Sequence, residues 1–265
     1  SFLFLQGKPK QGQTMDEVKQ LLLSQLDSIK AGAFPDWLPK AIINNMQLDE
    51  IKSYEKNSNR TQAMLDAFIY DISWEQKIAF YNRMEKITKQ NIIDFVKQHF
   101  GNNYVIVYKH TGIDTSVQKI AKPPITPIQI NRDAKSDFFI EMEKKEPAGL
   151  EPVFVDFEKD MAKVILKNNM PVYSIVNNEN KTFSISFVYE AGTDHHNEYG
   201  IAWDYMSFLG TKTYTNQQLL QEFYKLACTF SFFVGADRTW ITLSGLSTNF
   251  QPAMQLLHQY IQDPV

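Results

Sequence analysis

The chain has 265 residues, 43% of them hydrophobic and 13% aromatic, which is enough to bury a sizeable core in one large domain or two smaller ones. A net charge of −3 and an isoelectric point near 6.0 give no electrostatic basis for binding nucleic acid. The single cysteine, Cys228, excludes an internal disulfide, and no apolar run approaches the roughly 20 residues that a membrane span needs.

Phe2 to Leu5 reads as a short buried strand. No secretory leader pattern precedes it, and both ends of the sequence read as cut from something longer. Thr14 and Glu17 have the spacing of a capping box, in which each side chain satisfies a free N–H of the other residue's turn. Val18, Leu22, Leu26 and Ile29 then line one helical face, and Gly32 ends it. A second helix is expected from Asp36 to about Ser53, with Leu38, Ile42 and Met46 on one side. Asn57 to Asn59 reads as an interruption, and a helix resumes from Arg60 to Tyr70. Ser73 and Gln76 form another capping box, opening a short helix over Ile78 and Tyr81. Thr88 caps the next helix, with Ile92, Phe95, Val96 and Phe100 inward; Trp74 and Phe95 read as core. Tyr104 to Tyr108 reads as a strand by its β-branched and aromatic content.

From Ile113 to about Asp156 the pattern weakens. Pro123, Pro124 and Pro127 forbid regular ladders, and a charged run follows from Glu141 to Glu146. A stretch this long without a core pattern is natural for a connector between domains. A short helix over Phe138, Phe139 and Met142 is expected within it. Ala162–Leu166 and Val172–Val176 then read as two strands around a turn at Asn168 and Asn169. Lys181 to Tyr189 is a third strand.

Glu190 to Thr211 carries the most information. A polar loop runs from Gly192 to Gly200; a helix with Ile201, Ala202, Tyr205, Met206 and Leu209 follows, and Gly210 is its expected stop. His195 and His196 are adjacent, so regular structure would aim them in different directions. With Asp194 and Glu198 nearby they make a weak case for a metal, and the stretch reads as a solvated loop. After it, Thr215 and Gln218 form a capping box for a helix through Leu219, Leu220, Phe223 and Leu226. Cys228–Val234 and Arg238–Leu246 pair as a hairpin, and Asn249 to Ile261 is an amphipathic helix.

Strand, polar loop, helix and Gly-Thr, in that order, resemble the metal-site region of the insulinase-like peptidases, the inverted-motif zinc metallopeptidases. In that family the metal helix carries H-x-x-E-H between a "GLA"-type start and a "GT" end. Here the start is Gly200-Ile201-Ala202 and the end Gly210-Thr211, but Trp203 to Leu209 contains neither His nor Glu. A second stretch is similar to the end of the family's second domain: Ala67 to Trp74, Ile87 to Phe95 and Asn103 to Lys109, the last matching a closing "VVVYK"-type strand. The connector resembles the one that joins the two halves of such peptidases.

The resemblance implies an α+β fold in two lobes, with antiparallel sheets packed against helices. Its expected division is residues 1–112 as the C-terminal part of a second peptidase-like domain, 113–156 as linker, and 157–265 as the N-terminal part of a third, non-catalytic one. It implies a parent protein that is a zinc-dependent metallopeptidase hydrolysing peptides or unfolded polypeptides, with this segment enclosing substrate. The alternative is a catalytically inactive insulinase-like subunit with a structural or processing-partner role. Zinc is implied for the parent and not for this segment: no catalytic residue and no metal ligand is assigned here, and substrate-binding residues are unassigned. The implied partners are the remaining domains of the parent, a peptide substrate and, for the isolated segment, a second copy. The bacterial periplasm or cell envelope is the compartment that the resemblance suggests.

Other chemistry finds no support in the sequence. Gly residues do not cluster as a phosphate loop, and no G-x-S-x-G elbow occurs. Cys228 lies in an apolar strand and reads as a packed thiol.

Overall fold

A computed structural model describes residues 3–113 and 121–265. Of these, the residues up to Ile106 together with those from Asn177 to Val265 form one compact unit, and those from Val107 to Val176 form another.

The first unit begins with helices whose starts were legible in the sequence. Helix α1 (Met15–Lys30) opens on the Thr14–Glu17 capping box, α4 (Trp74–Ile78) on Ser73–Gln76, and α6 (Lys89–His99) on Thr88, with Asn91 in the reciprocal position. Between them lie α2 (Leu38–Ser53), α3 (Asn57–Ile69) and α5 (Phe80–Met84). α3 starts at Asn57, so the Asn-rich stretch is helical and does not interrupt. Its break from α2 falls at Tyr54–Lys56, with Asn59 Nδ2 donating to the Ser53 carbonyl at 3.0 Å.

α1 packs on α6, and Gly32, in the left-handed region at φ +68°, ends the turn beyond α1 where Ile93 closes in. Lys89 then ties that turn down by donating to the Phe34 carbonyl at 2.6 Å and the Asp36 carboxylate at 2.8 Å.

Other expectations for this region fail. Trp74 and Phe95 are not core: they are 43% and 55% exposed, and Val96 is the residue of α6 that is buried. Tyr104–Tyr108 is not a strand. Val105 and Val107 are 90% and 87% exposed. Propensity describes fitness for a half-buried pleated surface, and among the described residues no neighbouring strand supplies that surface. The strand expected at Phe2–Leu5 falls partly outside the described residues; Leu3 to Leu5 are not in a strand.

The rest of the first unit is a three-stranded antiparallel sheet with helices on one face. Strands β3 (Thr182–Tyr189), β4 (Cys228–Val234) and β5 (Thr239–Leu246) lie in the order β3-β5-β4. Register pairs Ile185 with Leu243 and Phe230 with Leu243, so alternate residues of all three strands face the same way. Helices α8 (Glu198–Met206), α9 (Asn216–Lys225) and α10 (Phe250–Gln262) cover that face. The core is Leu219 and Phe223 from α9, Cys228 from β4, Ile241 and Leu243 from β5, and Ala253, Leu256, Leu257 and Tyr260 from α10. Phe183, Ile185 and Phe187 of β3 pack against it. The opposite face carries Ser184, Ser186, Thr229, Ser231, Thr242 and Ser244, with Val188, Phe233 and Trp240 at one end. Ser186 and Thr242 hydroxyls bond at 2.9 Å across it.

The second unit contains α7 (Asp137–Glu143), capped by Ser136, and a two-stranded antiparallel hairpin of β1 (Ala162–Ile165) and β2 (Pro171–Ser174). Asn169, at φ 59°, makes the hairpin turn. Residues 121–135 and 145–156 have no regular structure, as their prolines dictate; the expected linker residues 114–120 lie outside the described residues. The α+β class with antiparallel sheets is thus what the chain adopts.

Candidate functional site

The region that the sequence singled out is the loop after β3, helix α8 and the turn that follows. β3 ends where Tyr189 faces Thr239 of β5. Thr239 Oγ1 donates to the Ala191 carbonyl at 2.8 Å, which holds the start of the loop against the sheet. The backbone N–H groups of Thr193 and Asp194 donate to the carbonyls of Gly235 and Ala236 at 3.0 and 2.8 Å. Gly192 is required at this crossing: a Cβ there would sit 2.3 Å from the Gly235 oxygen. The loop is therefore a staple between β3 and the β4–β5 turn, rather than a free surface excursion.

The two histidines sit in that staple with separate tasks. His195 Nδ1 accepts the Gly192 N–H at 3.3 Å, leaving the ring's other nitrogen to carry the proton of the neutral form. The His196 ring lies 5.0 Å from that of Tyr199, and its backbone N–H donates to the Gly192 carbonyl at 3.2 Å. Among the described residues no group of three or more His, Cys, Asp or Glu side chains gathers where a metal ion could be held.

Helix α8 begins at Glu198 and ends at Met206, one turn short of the expected stop at Gly210. Its inward side is set by Trp203 and Met206, three residues apart. Trp203 stacks on Phe232 of β4 with ring centroids 4.8 Å apart and planes 29° from parallel. The Met206 carbonyl accepts the Tyr260 hydroxyl of α10, which satisfies a phenol otherwise buried in the core. Ile201, Ala202, Asp204 and Tyr205 point outward.

Zinc takes imidazole, thiolate or carboxylate ligands, and a helix contributes two of them by placing histidines one turn apart on one face. The corresponding face of α8 is filled by an indole and a thioether that pack on the sheet, so these residues do not fit zinc.

The Gly-Thr pair after α8 is a structural turn. A Cβ on Gly210 would meet the Tyr214 carbonyl at 2.3 Å. Thr211 Oγ1 accepts the N–H groups of Thr213 and Tyr214 at 3.2 and 3.0 Å. Gly210 and Val265 exchange backbone hydrogen bonds at 2.9 and 3.2 Å, tying the turn to the residues that follow α10. Asn216 Nδ2 reaches back to the carbonyls of Ser207 and Leu209 at 2.8 and 2.9 Å, fastening α9 to α8.

Cys228 has no nucleophile's surroundings. It is 2% exposed, its thiol donates to the Leu226 carbonyl at 3.4 Å, and burial pushes its pKa up to about 11. The hydroxyl-bearing face of the sheet was not singled out from the sequence. Its signal is the Ser-x-Ser of β3, the Thr-x-Ser of β4 and the Thr-x-Ser of β5, which the strand register brings into rows.

The site is thus a packing junction built on an antiparallel sheet. The model of the family Insulinase (Peptidase family M16) matches residues 172–265, and that stretch of the chain is insulinase-like. No curated protein sequence matches. Among solved structures, an inactive domain of a peptidase M16 from Pseudomonas fluorescens aligns at 20% identity and a TM-score of 0.37, over 40% of this chain and 27% of that one. A protease from Helicobacter pylori aligns at 18% identity and a TM-score of 0.34, over 39% of this chain and 26% of that one. The periplasmic protease PqqL from Escherichia coli aligns at 15% identity and a TM-score of 0.38, over 95% of this chain and 30% of that one. The chain therefore spans 30% or less of each of these three.

Proposed function

We propose that this chain is a non-catalytic, substrate-enclosing segment of a zinc-dependent metallopeptidase that hydrolyses peptides or unfolded polypeptides. The observation that carries the proposal is helix α8. It follows the strand and loop in the family's order, and its inward side is committed to Trp203–Phe232 stacking and the Met206–Tyr260 hydrogen bond. In this reading residues 1–112 close a second domain, 113–156 link the halves, and 157–265 open a third domain with no catalytic or metal-binding residue. The metal and its activated water belong to the rest of the parent chain. That remainder and the peptide substrate are the segment's partners, and an isolated segment pairs with a second copy of itself to cover apolar surface. The compartment in this reading is the bacterial periplasm or cell envelope, on the resemblance alone; the single buried thiol is compatible with any compartment.

The test uses the parent protein and an unstructured peptide carrying a photoreactive side chain. Adducts within residues 157–265, competed away by unlabelled peptide, are expected. Adducts confined to the rest of the parent would contradict substrate enclosure by this segment.

A further inference from the structure

Helix α2 is unusual in burying residues on two sides. Ala41 and Leu48 lie on one face with Asn45 between them, while Ile43 is buried on another. Its flank toward α4 and α5 is occupied: Lys40 pairs with Glu85 at 2.9 Å, Lys77 with Glu50 at 3.5 Å, and the Tyr81 hydroxyl donates to the Met46 carbonyl at 3.0 Å.

The remaining flank meets a segment more than a hundred residues away in sequence. At the start of α2 the Trp37 ring lies 4.8 Å from Lys225 Nζ, and Lys225 is itself held by Glu222 at 2.5 Å. In its middle Asn45 Nδ2 donates to the Tyr224 carbonyl at 2.8 Å, and to its own helix at Ala41 at 2.8 Å. Just past its end Glu55 Oε1 accepts from Asn180 Nδ2 at 3.1 Å. These contacts run along the whole of α2, roughly 24 Å for a helix of its length.

The chemistry suits the place. Tyr224 and Lys225 are at the end of α9, where carbonyls have fewer partners within the helix and carry partial negative charge. An amide donor from α2 and an aromatic face beneath the lysine are what that end accepts.

We propose that α2 is a clasp that binds residues up to Ile106 and residues 177–265 into one body, independently of the chain that joins them. The partner surface is the C-terminal end of α9 with the Asn180 turn. The joining residues are then a long excursion whose ends are fixed by the clasp. Because closure entropy grows only slowly with loop length, even a connector this long holds the two parts at a high effective concentration, so only a cut chain shows what the clasp does alone.

The experiment inserts a site-specific protease sequence after Gly149, where Leu150 is 98% exposed, into the full chain. After cleavage, the two pieces are followed by size exclusion and native mass spectrometry at about 1 μM. They are expected to co-migrate, with amide protection of α2 unchanged by the cut. Trp37→Ala and Asn45→Ala are each expected to speed dissociation of the cut pieces by about tenfold. Immediate separation of the wild-type pieces, loss of α2 protection on cutting, or a double variant that dissociates no faster than wild type would overturn the proposal. Far-UV circular dichroism of the uncut variants separates a broken clasp from a failure to fold.

Discussion

Removing the Trp203 side chain probes the role of α8 most informatively among single substitutions. A fully buried Trp or Phe cut to Ala costs about 3–5 kcal/mol. Trp203 is partly buried, packed on the sheet core and stacked on Phe232 at 4.8 Å. Its stacked arrangement, with the planes 29° from parallel, adds about 0.5–1.5 kcal/mol to what area burial alone provides. Scaling the burial part by roughly half and adding the stack gives a loss of about 2–4 kcal/mol. For a unit of this size each kcal/mol lowers Tm by about 2–4 °C, so a fall of roughly 4–16 °C is expected. Far-UV circular dichroism is the right readout, because the chain has 4 Trp and fluorescence would change with the substitution itself. Ile201→Ala is the control: Ile201 is 75% exposed on the outward side of the same helix, and its loss should stay within about 0.5 kcal/mol. If Ile201→Ala destabilised more than Trp203→Ala, α8 would present the opposite face to the sheet and the packing argument would collapse.

Other expectations come from the same junction and its surroundings. Gly192→Ala drives a Cβ against the Gly235 and Ala236 carbonyls, at 2.3 and 2.4 Å. It should cost about 1–3 kcal/mol and speed hydrogen exchange at the Thr193 and Asp194 amides, and unchanged exchange would mean the loop is not stapled. Thr215→Ala removes the capping box of α9 and should lower stability by about 1 kcal/mol in urea titrations; a neutral result would assign the start of α9 to tertiary packing alone. Stability should also fall in alkali. Burial raises the Cys228 pKa from 9.0 to about 11, so the protonated thiol's advantage is complete below pH 9 and lost as pH rises to 11. Tyr54 and Tyr81, raised from 10.0 to about 12 by burial with Glu50 beside both, extend the loss from pH 10 to 12. Cys228→Ala should flatten the first part of that decline and leave the second, which melting curves at stepped pH would resolve.

What could be read from the sequence was local. The capping boxes at Thr14, Ser73 and Thr215 and the cap at Thr88 all start helices, because a cap is decided within a few residues by groups that have no other partner. The hairpin of β4 and β5 and the turn at Asn169 follow from period-two patterning and turn chemistry. What failed depended on distant partners. Tyr104–Tyr108 has strand composition but gains no neighbouring edge, and Phe95 has a helical core position but no covering layer. The early end of α8 is likewise non-local: the Asn216 side chain claims the Ser207 and Leu209 carbonyls that a longer helix would use. At the candidate site, the lack of His and Glu between Trp203 and Leu209 was legible. The use of Gly192 as a staple and of Gly210-Thr211 as a turn was not, since each depends on carbonyls from other strands and loops. The clasp of α2 on α9 leaves almost no sequence signal, because a helix buried on two sides loses the one-sided periodicity that marks amphipathic helices.

The central claim is that α8 is a packing helix whose inward side offers no ligand set for zinc. Calorimetric titration of the purified chain with zinc, run beside cleavage of an unstructured peptide with and without chelator, tests it directly. The account predicts no stoichiometric zinc binding at about micromolar affinity and no chelator-sensitive cleavage. Tight stoichiometric binding that disappears in a His195→Ala/His196→Ala variant would contradict it, and would place a metal site in the loop before α8.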